Sequence, residues 1–269
     1  MNKIALSLGP LTITWYSIFI LLGIILAGII INREAKKYNI PTSFITNLVF
    51  WCVVFGLLGA RIYYVLFNLD YYASSPIEII KIWNGGLAIH GGIIAGLITL
   101  VVYCKKYQVN ILKMLDIAAP ALLLAQGIGR WGNFFNGEAH GGIVTRSFLE
   151  GLHLPEFIID GMHIGGHYYH PTFLYESVFC IIGFFVLFGF RSLKKAKLGN
   201  TTALYLIWYG VLRFFVESLR TDSLMLGSLK MAQVISIIMV VVGIVMFIIT
   251  KIKCKPYDDV GAKENEIKC

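Results

Sequence analysis

Seven long apolar stretches constrain this chain more than any other feature: Leu11–Ile31, Phe44–Phe67, Leu87–Tyr103, Met114–Asn136, Pro171–Phe190, Thr202–Arg220 and Met231–Thr250. Each is long enough to cross a hydrocarbon core of about 30 Å at about 1.5 Å of rise per helical residue. Lipid gives the backbone no hydrogen-bond partners, so every span reads as a helix that satisfies its own amides. The expected fold class is an all-α polytopic membrane protein with seven transmembrane helices. Composition agrees: 57% of the 269 residues are hydrophobic and 14% are charged, against about a quarter charged in a soluble domain. Only Lys3 precedes the first span, and no small-residue cleavage site follows it, so that span reads as a helix rather than a cleaved signal.

The formal net charge is +8, and its distribution speaks to topology rather than to nucleic acid, which is not an expected partner. Arg33, Lys36 and Lys37 follow the first span. Lys105, Lys106 and Lys113 follow the third, and Arg191, Lys194, Lys195 and Lys197 follow the fifth. Lys251, Lys253, Lys255, Lys263 and Lys268 follow the seventh. The alternate loops hold Lys3, Lys81, Arg146 and Lys230 alone. The positive-inside rule then places the N-terminus outside and the C-terminus in the cytoplasm. Residues 1–250 are expected to form one seven-helix transmembrane domain, with 137–170 as a small outer-face cap and 251–269 as a basic cytoplasmic tail. Within the cap, "IIDGMHIGGHYYH" reads as a small hairpin turning at Asp160-Gly161. The five cysteines fall in no outer loop and form no Cys-x-x-Cys pair.

With the orientation set, Arg61, Arg130, Arg213 and Arg220 all fall in the outer halves of their spans. A membrane arginine costs about 2.5–3.5 kcal/mol on insertion scales and marks a functional site by default. Arg213, Glu217 and Arg220 share one helix face at i, i+4 and i+7, with Arg220 near enough to the edge to snorkel. Glu217 and Glu138 are too few to neutralise these cations. An anion is expected to complete the site, and in an outer leaflet that anion is a phospholipid phosphate, which suits the planar donor fork of arginine. His90 opens the third span beside Gly91, Gly92 and Gly96, where a close approach is possible, and histidine is the usual proton acceptor near neutral pH. Tyr16 lies at the outer start of the first span. His170-Pro171 begins the fifth, with Tyr175 and Glu176 about a turn in. His163, His167 and His170 have metal-like spacing but sit in a loop without a His-Glu-x-x-His, so neither a metal nor a cofactor is expected.

The most polar stretch of the greasy chain is Gln126–Gly142, "QGIGRWGNFFNGEAHGG". Its Gly129-Arg130-Trp131-Gly132-Asn133-Phe134-Phe135-Asn136-Gly137-Glu138 resembles the signature Gly-Arg-x-Gly-Asn-Phe-x-Asn-x-Glu of the prolipoprotein diacylglyceryl transferase family, with Gly141 beyond it. His90-Gly91-Gly92, His170-Pro171-Thr172 with Leu174-Tyr175-Glu176, Gly210 through Arg213, Phe214, Glu217 and Arg220, Trp15-Tyr16 and Gly59-Ala60-Arg61 fit in order, so the resemblance covers nearly the whole chain. Where some relatives carry a histidine before the Trp-Tyr pair, Thr14 stands here, and it is given no catalytic role.

The resemblance implies a bacterial cell-membrane enzyme that moves a diacylglyceryl group from phosphatidylglycerol to the lipobox cysteine thiol of a prolipoprotein signal peptide, releasing glycerol phosphate. On that basis Arg130 and Arg213 are expected to bind the phosphate. His90 is expected to deprotonate or orient the thiol, with an arginine or a phosphate oxygen as alternatives. Tyr209, one turn before Arg213, is a candidate for the same pocket. Tyr16, Arg61, Asn133, Asn136, Glu138, Gly141, Tyr175 and Glu176 are candidate headgroup contacts, and Glu217 is expected to orient Arg213. Asn136 has a second reading as a helix cap. A transporter of repeated halves has no support, because no internal repeat is visible and the inner halves are apolar apart from Asp116. A scaffold would not need arginines in three spans, and no Gly-x-Ser-x-Gly or zinc motif supports a protease.

Overall fold

The computed structural model describes residues 3–257, apart from 9, 10, 194, 195, 222, 224 and 228. Lys194, Lys195 and the expected tail from residue 258 onward, with Lys263, Lys268 and Cys269, lie outside the described residues.

The chain runs β1 (Ile4–Leu8), β2 (Leu11–Thr14), α1 (Trp15–Lys36), α2 (Thr42–Leu66), α3 (Leu69–Ser74), two 3-10 turns (Pro76–Ile80 and Ile82–Asn84), α4 (Ile89–Lys106) and α5 (Ile111–Asn136). It continues through β3 (Ile143–Val144), α6 (Arg146–Gly151), α7 (Glu156–Gly161), β4 (His163–Ile164), β5 (His167–Tyr169), α8 (Thr172–Arg191), α9 (Asn200–Leu219), β6 (Met225–Leu226), β7 (Leu229–Lys230) and α10 (Met231–Lys253). Seven of these helices, α1, α2, α4, α5, α8, α9 and α10, are long and apolar enough to cross a membrane.

Two local expectations change. Leu11–Thr14 is strand rather than helix, paired antiparallel with β1 through Leu8↔Leu11 and Ser7↔Thr12. Its Leu-Thr-Ile-Thr alternation carries the period of two and the β-branching of a strand, so the first helix starts at Trp15. The hairpin is present, but Asp160-Gly161 is not its turn. Those residues end α7, which Glu156 opens behind Pro155. The turn is Gly165-Gly166, with φ of +57° and +86°, the positive values a two-residue hairpin turn needs. It joins β4 to β5 in a sheet of order β3-β5-β4.

The chain divides into two compact units, Met1–Ile30 with Leu115–Val260, and Ile31–Met114. In the second, α2 and α4 pack backbone to backbone. A Cβ on Gly59 would run into Ala95 and the Gly91 carbonyl, and one on Gly91 would strike the Gly59 carbonyl and Tyr63. Small residues at such crossings let helices approach where lipid supplies no hydrophobic drive. In the first unit, Ala119, Leu123, Cys180, Leu187, Leu212 and Val216 form one core cluster among the spans. Phe134, Phe173, Leu149, Ile158, Ile159 and Met162 form a second, which seats α6 and α7 on the helix ends.

At the α9 N-terminus, fully buried Asp116 of α5 accepts the backbone N–H of Gly199 (2.6 Å) and of Thr202 (2.8 Å), and the Thr202 hydroxyl (2.6 Å). Arg191 of α8 donates to the Asp116 and Ile117 carbonyls. The aspartate therefore caps a helix from a different helix, supplying acceptors to amides that the helix itself cannot satisfy. Asp116→Ala strands two buried amides at about 1–3 kcal/mol each. The expected outcome is a clear fall in Tm of the detergent-solubilised protein, and an unchanged Tm would refute the cap.

Candidate functional site

The site grows from the end of α5. Gly137 has φ +64° and stops the helix. Its N–H donates to the Phe134 carbonyl (3.1 Å), and the Glu138 N–H reaches back to the Asn133 carbonyl (3.1 Å). This is the paired bonding of a Schellman ending, with glycine in the left-handed position. Asn136 is therefore the C-cap residue, and its Nδ2 also donates to Glu138 Oε1 (3.3 Å). The chain beyond is stitched to the residues just before α8 and to the end of α9. The Gly141 N–H donates to the His170 carbonyl and the Gly142 N–H to the Leu219 carbonyl. A Cβ at Gly141 would lie 3.0 Å from that Leu219 oxygen.

From this end a polar chain runs into the helices. Glu138 Oε1 accepts from Asn133 Nδ2 (3.1 Å), and Asn133 Oδ1 accepts from Arg130 Nη1 (3.2 Å). Arg130 Nη2 donates to Glu176 Oε1 at 2.6 Å. The same oxygen accepts the Tyr209 hydroxyl (3.1 Å), and the other Glu176 oxygen accepts Arg213 Nη1 (3.2 Å). Arg213 Nη2 pairs with Glu217 at 2.6 Å, and Arg220 lies 4.0 Å from the same carboxylate oxygen. Three spans thus meet at one carboxylate. The reason is depth: Arg130 lies six residues before the end of α5, Glu176 four residues after the start of α8, and Arg213 six residues before the end of α9. At about 1.5 Å per residue these offsets agree within about one turn.

Burial separates the roles. The side chains of Glu176 and Glu217 are 2% and 3% exposed, and those of Arg130 and Arg213 are 20% and 15% exposed. The carboxylates are enclosed and the guanidiniums keep an open edge. Glu176 is also a neutralising charge that the sequence count omitted. Glu138, by contrast, is exposed and joins Arg130 through Asn133. The arrangement is a rigid, partly open guanidinium pair suited to an anionic oxygen.

Other expected site residues take their own places. Tyr16 lies over Gly132, whose Cβ would sit 2.8 Å from its ring. The Tyr175 hydroxyl lies 3.3 Å from His170 Nδ1, and burial pushes the His170 imidazole below its ordinary pKa. His90 opens α4 with its ring 6.2 Å from that of Tyr63. Arg61 is 6% exposed and gives its donors to backbone carbonyls between residues 78 and 86. Among the described residues, no group of three His, Cys, Asp or Glu is placed to hold a metal ion.

Two contributors escape the sequence reading. Tyr205 stacks on Tyr209 at 6.1 Å and accepts Gln126 Nε2 at 2.9 Å. It continues the every-fourth-residue stripe of Tyr209, Arg213 and Glu217, which was the available signal. Lys230 Nζ donates to the carbonyls of Glu217 (2.8 Å) and Arg220 (2.7 Å), so a lysine just before α10 closes the C-terminus of α9.

A family model described as Prolipoprotein diacylglyceryl transferase matches residues 3–249. The phosphatidylglycerol–prolipoprotein diacylglyceryl transferases of Staphylococcus aureus strains Newman and JH9 are each 50% identical to this chain over 265 residues, spanning 97% of it and 94% of the relative.

Removing Glu176 takes from two largely buried guanidiniums their shared partner. Loss of one member of a buried ion pair costs about 3–5 kcal/mol, whereas an exposed carboxylate is worth about 0–1 kcal/mol. Thermal unfolding of Glu176→Ala is therefore expected well below wild type and that of Glu138→Ala close to it. Equal Tm shifts would contradict the assignment of Glu176 as the central carboxylate.

Proposed function

The chain belongs to the prolipoprotein diacylglyceryl transferase family, and from that premise we infer which of its side chains carry the reaction. The protein is a multi-pass membrane transferase that moves the diacylglyceryl group of phosphatidylglycerol to prolipoprotein. The proposed acceptor is the lipobox cysteine thiol of the signal peptide. Its sulfur attacks the glycerol carbon that carries the phosphate, a C–S bond forms as the C–O bond breaks, and the electron pair leaves with the phosphate as glycerol phosphate. The thiol proton passes to a base.

The observation that carries this reading is the clamp of Glu176 on Arg130 and Arg213. A leaving phosphate gains charge as its ester bond breaks. Donors already fixed at that position stabilise it without reorganising, and each is worth about 10²–10³ in kcat. Arg130 commits Nη1 to Asn133 and Nη2 to Glu176, and its side chain, 20% exposed, offers a planar fork that suits a phosphate. Arg130 and Arg213 are the proposed phosphate ligands, with Tyr209 as the hydroxyl of the same pocket. Glu176 and Glu217 are positioning residues. Asn133, Asn136, Glu138, Gly141, Tyr16 and Tyr175 are proposed to surround the glycerol headgroup. Arg61, with its donors already spent on carbonyls, serves its own loop. His90 is the proposed acceptor of the thiol proton, a role histidine fills near neutral pH.

The proposed setting is the bacterial cell membrane, with the N-terminus outside, the site in the outer leaflet and the basic tail in the cytoplasm. Charge supports it. Arg33 and Lys36 end α1, Lys105 and Lys106 end α4, Arg191 ends α8, and Lys251 and Lys253 end α10. Arg130 and Glu176 lie at the opposite ends of α5 and α8 from those basic termini.

In vesicles of phosphatidylglycerol, the purified protein is expected to convert a lipobox peptide to a thioether over many turnovers, followed by mass spectrometry. Arg130→Ala and Arg130→Lys are each expected to lose about 10²–10³ in kcat, lysine failing because it lacks the fork. Full activity in the folded alanine variant would end the phosphate role. Separately, His90→Gln is expected to abolish the acid limb of the pH–rate profile, and an unchanged profile would remove His90 as the base.

A further inference from the structure

Arg61 poses a problem that the transfer reaction does not answer. It is a membrane-helix arginine, 6% exposed, and all five of its acceptors are neutral carbonyls. Nε donates to Ile79 (2.9 Å), Nη1 to Gly85 (2.7 Å) and Gly86 (2.9 Å), and Nη2 to Glu78 (2.5 Å) and Lys81 (3.4 Å). The Tyr72 ring covers the guanidinium carbon at 5.2 Å. Gly86, at φ +72°, leaves no room for a side chain, since a Cβ there would strike Nη1.

The segment so gripped is strung between α2 and α4 and consists of six-residue α3 and two 3-10 turns. Such irregular backbone makes fewer ladder bonds than a regular helix, although the Glu78 carbonyl also accepts the Lys81 N–H (3.2 Å), and where water is scarce an unmet carbonyl is costly. The five donors of one arginine answer several at once. Tyr72 faces Arg61, but other side chains of the segment are exposed: Tyr71, Ile77 and Ile80 at 58%, 61% and 66%, and Trp83 at 75%. A patch of this kind is not left to water in a stable protein. Its occupant follows from continuity, because Phe67 at the end of α2 and Ile89 at the start of α4 are exposed on lipid-crossing helices. The segment therefore begins and ends at the level of the bilayer surface. Trp and Tyr favour that level, where ring and polar tip are both satisfied, and Lys81 pairs with Glu78 on its polar side (2.5 Å).

We propose that residues 68–84 form a monotopic anchor lying in the membrane–water interface, with Trp83, Ile80, Ile77 and Tyr71 inserted among the lipids, and that Arg61 is the latch that holds this anchor folded. The insertion depth is about 5–10 Å, as for interfacial amphipathic segments. The inference goes beyond the transfer reaction and depends only on the chain's membrane-crossing helices.

The test uses the full chain in phosphatidylglycerol-containing vesicles, with Trp83 fluorescence isolated as the difference between wild type and Trp83→Phe. The expected signal is blue-shifted and poorly quenched by aqueous acrylamide. It is quenched more by lipids brominated near the glycerol end of the acyl chain than by lipids brominated near the methyl end. Strong acrylamide quenching with no bromolipid effect would overturn the anchor in favour of water. Insensitivity to both quenchers would overturn it in favour of a protein-covered surface. For the latch, Arg61→Ala is expected to red-shift the Trp83 signal and open it to acrylamide while the helical circular dichroism is retained. Arg61→Lys, which keeps the charge but not the fork, is expected to move it in the same direction and stands in if the alanine variant does not fold. Wild-type bromolipid quenching in a folded Arg61 variant would overturn the latch.

Discussion

Glu176 between Arg130 and Arg213 is the contact around which the first unit is arranged. Enclosing a carboxylate beside two largely buried guanidiniums is costly for each ion alone, and only close mutual pairing makes it tolerable. That requirement fixes more than charge. It holds α5, α8 and α9 at one depth, aims the open edges of both arginines in a defined direction, and makes Tyr209 part of the same hydrogen-bonded group. A site whose donors are placed before substrate arrives has less to reorganise when charge develops.

The same device recurs at the other end of α9. Asp116 of α5 caps its N-terminus, and Glu176 of α8 holds it toward the C-terminus, with Lys230 closing the last carbonyls. The helix that carries Tyr209, Arg213 and Glu217 is therefore pinned at both ends by groups from other elements. Carboxylates serve well in this position because a membrane interior offers few competing partners. The glycines act alongside them: Gly137 ends α5 cleanly, and Gly141 brings the chain against the ends of α8 and α9. Arg61 in the second unit solves a related difficulty with the opposite charge, supplying donors to the backbone carbonyls of an irregular segment.

Much of this is legible in the sequence. The length of the apolar runs located every crossing helix to within a few residues, because hydrocarbon thickness sets the minimum length and the backbone must bond to itself. The i, i+4 spacing of Arg213 and Glu217 announced their ion pair, since neighbours on one helix face follow from helical geometry alone. Leu11–Thr14 was misread because its apolarity, suited to lipid, hid an alternation of period two. The hairpin was expected in its correct stretch but at the wrong turn, because Asp160-Gly161 and Gly165-Gly166 both carry turn chemistry. Only the helical start at Pro155-Glu156 decides between them.

Sequence by itself determined the class of fold, the positions of the spans and, through the ordered motifs from Trp15 to Arg220, the family. These are local or periodic properties, and neighbouring residues suffice to state them. Tertiary structure alone decided who partners whom. It made Glu176 the shared carboxylate of Arg130 and Arg213 across 46 and 37 residues of chain, and it committed Arg61 to the 78–86 carbonyls rather than to an anion. Charge counting along a chain gives how many ions must be matched. Which ones match depends on helix depth and rotation, and packing fixes those only when the spans come together.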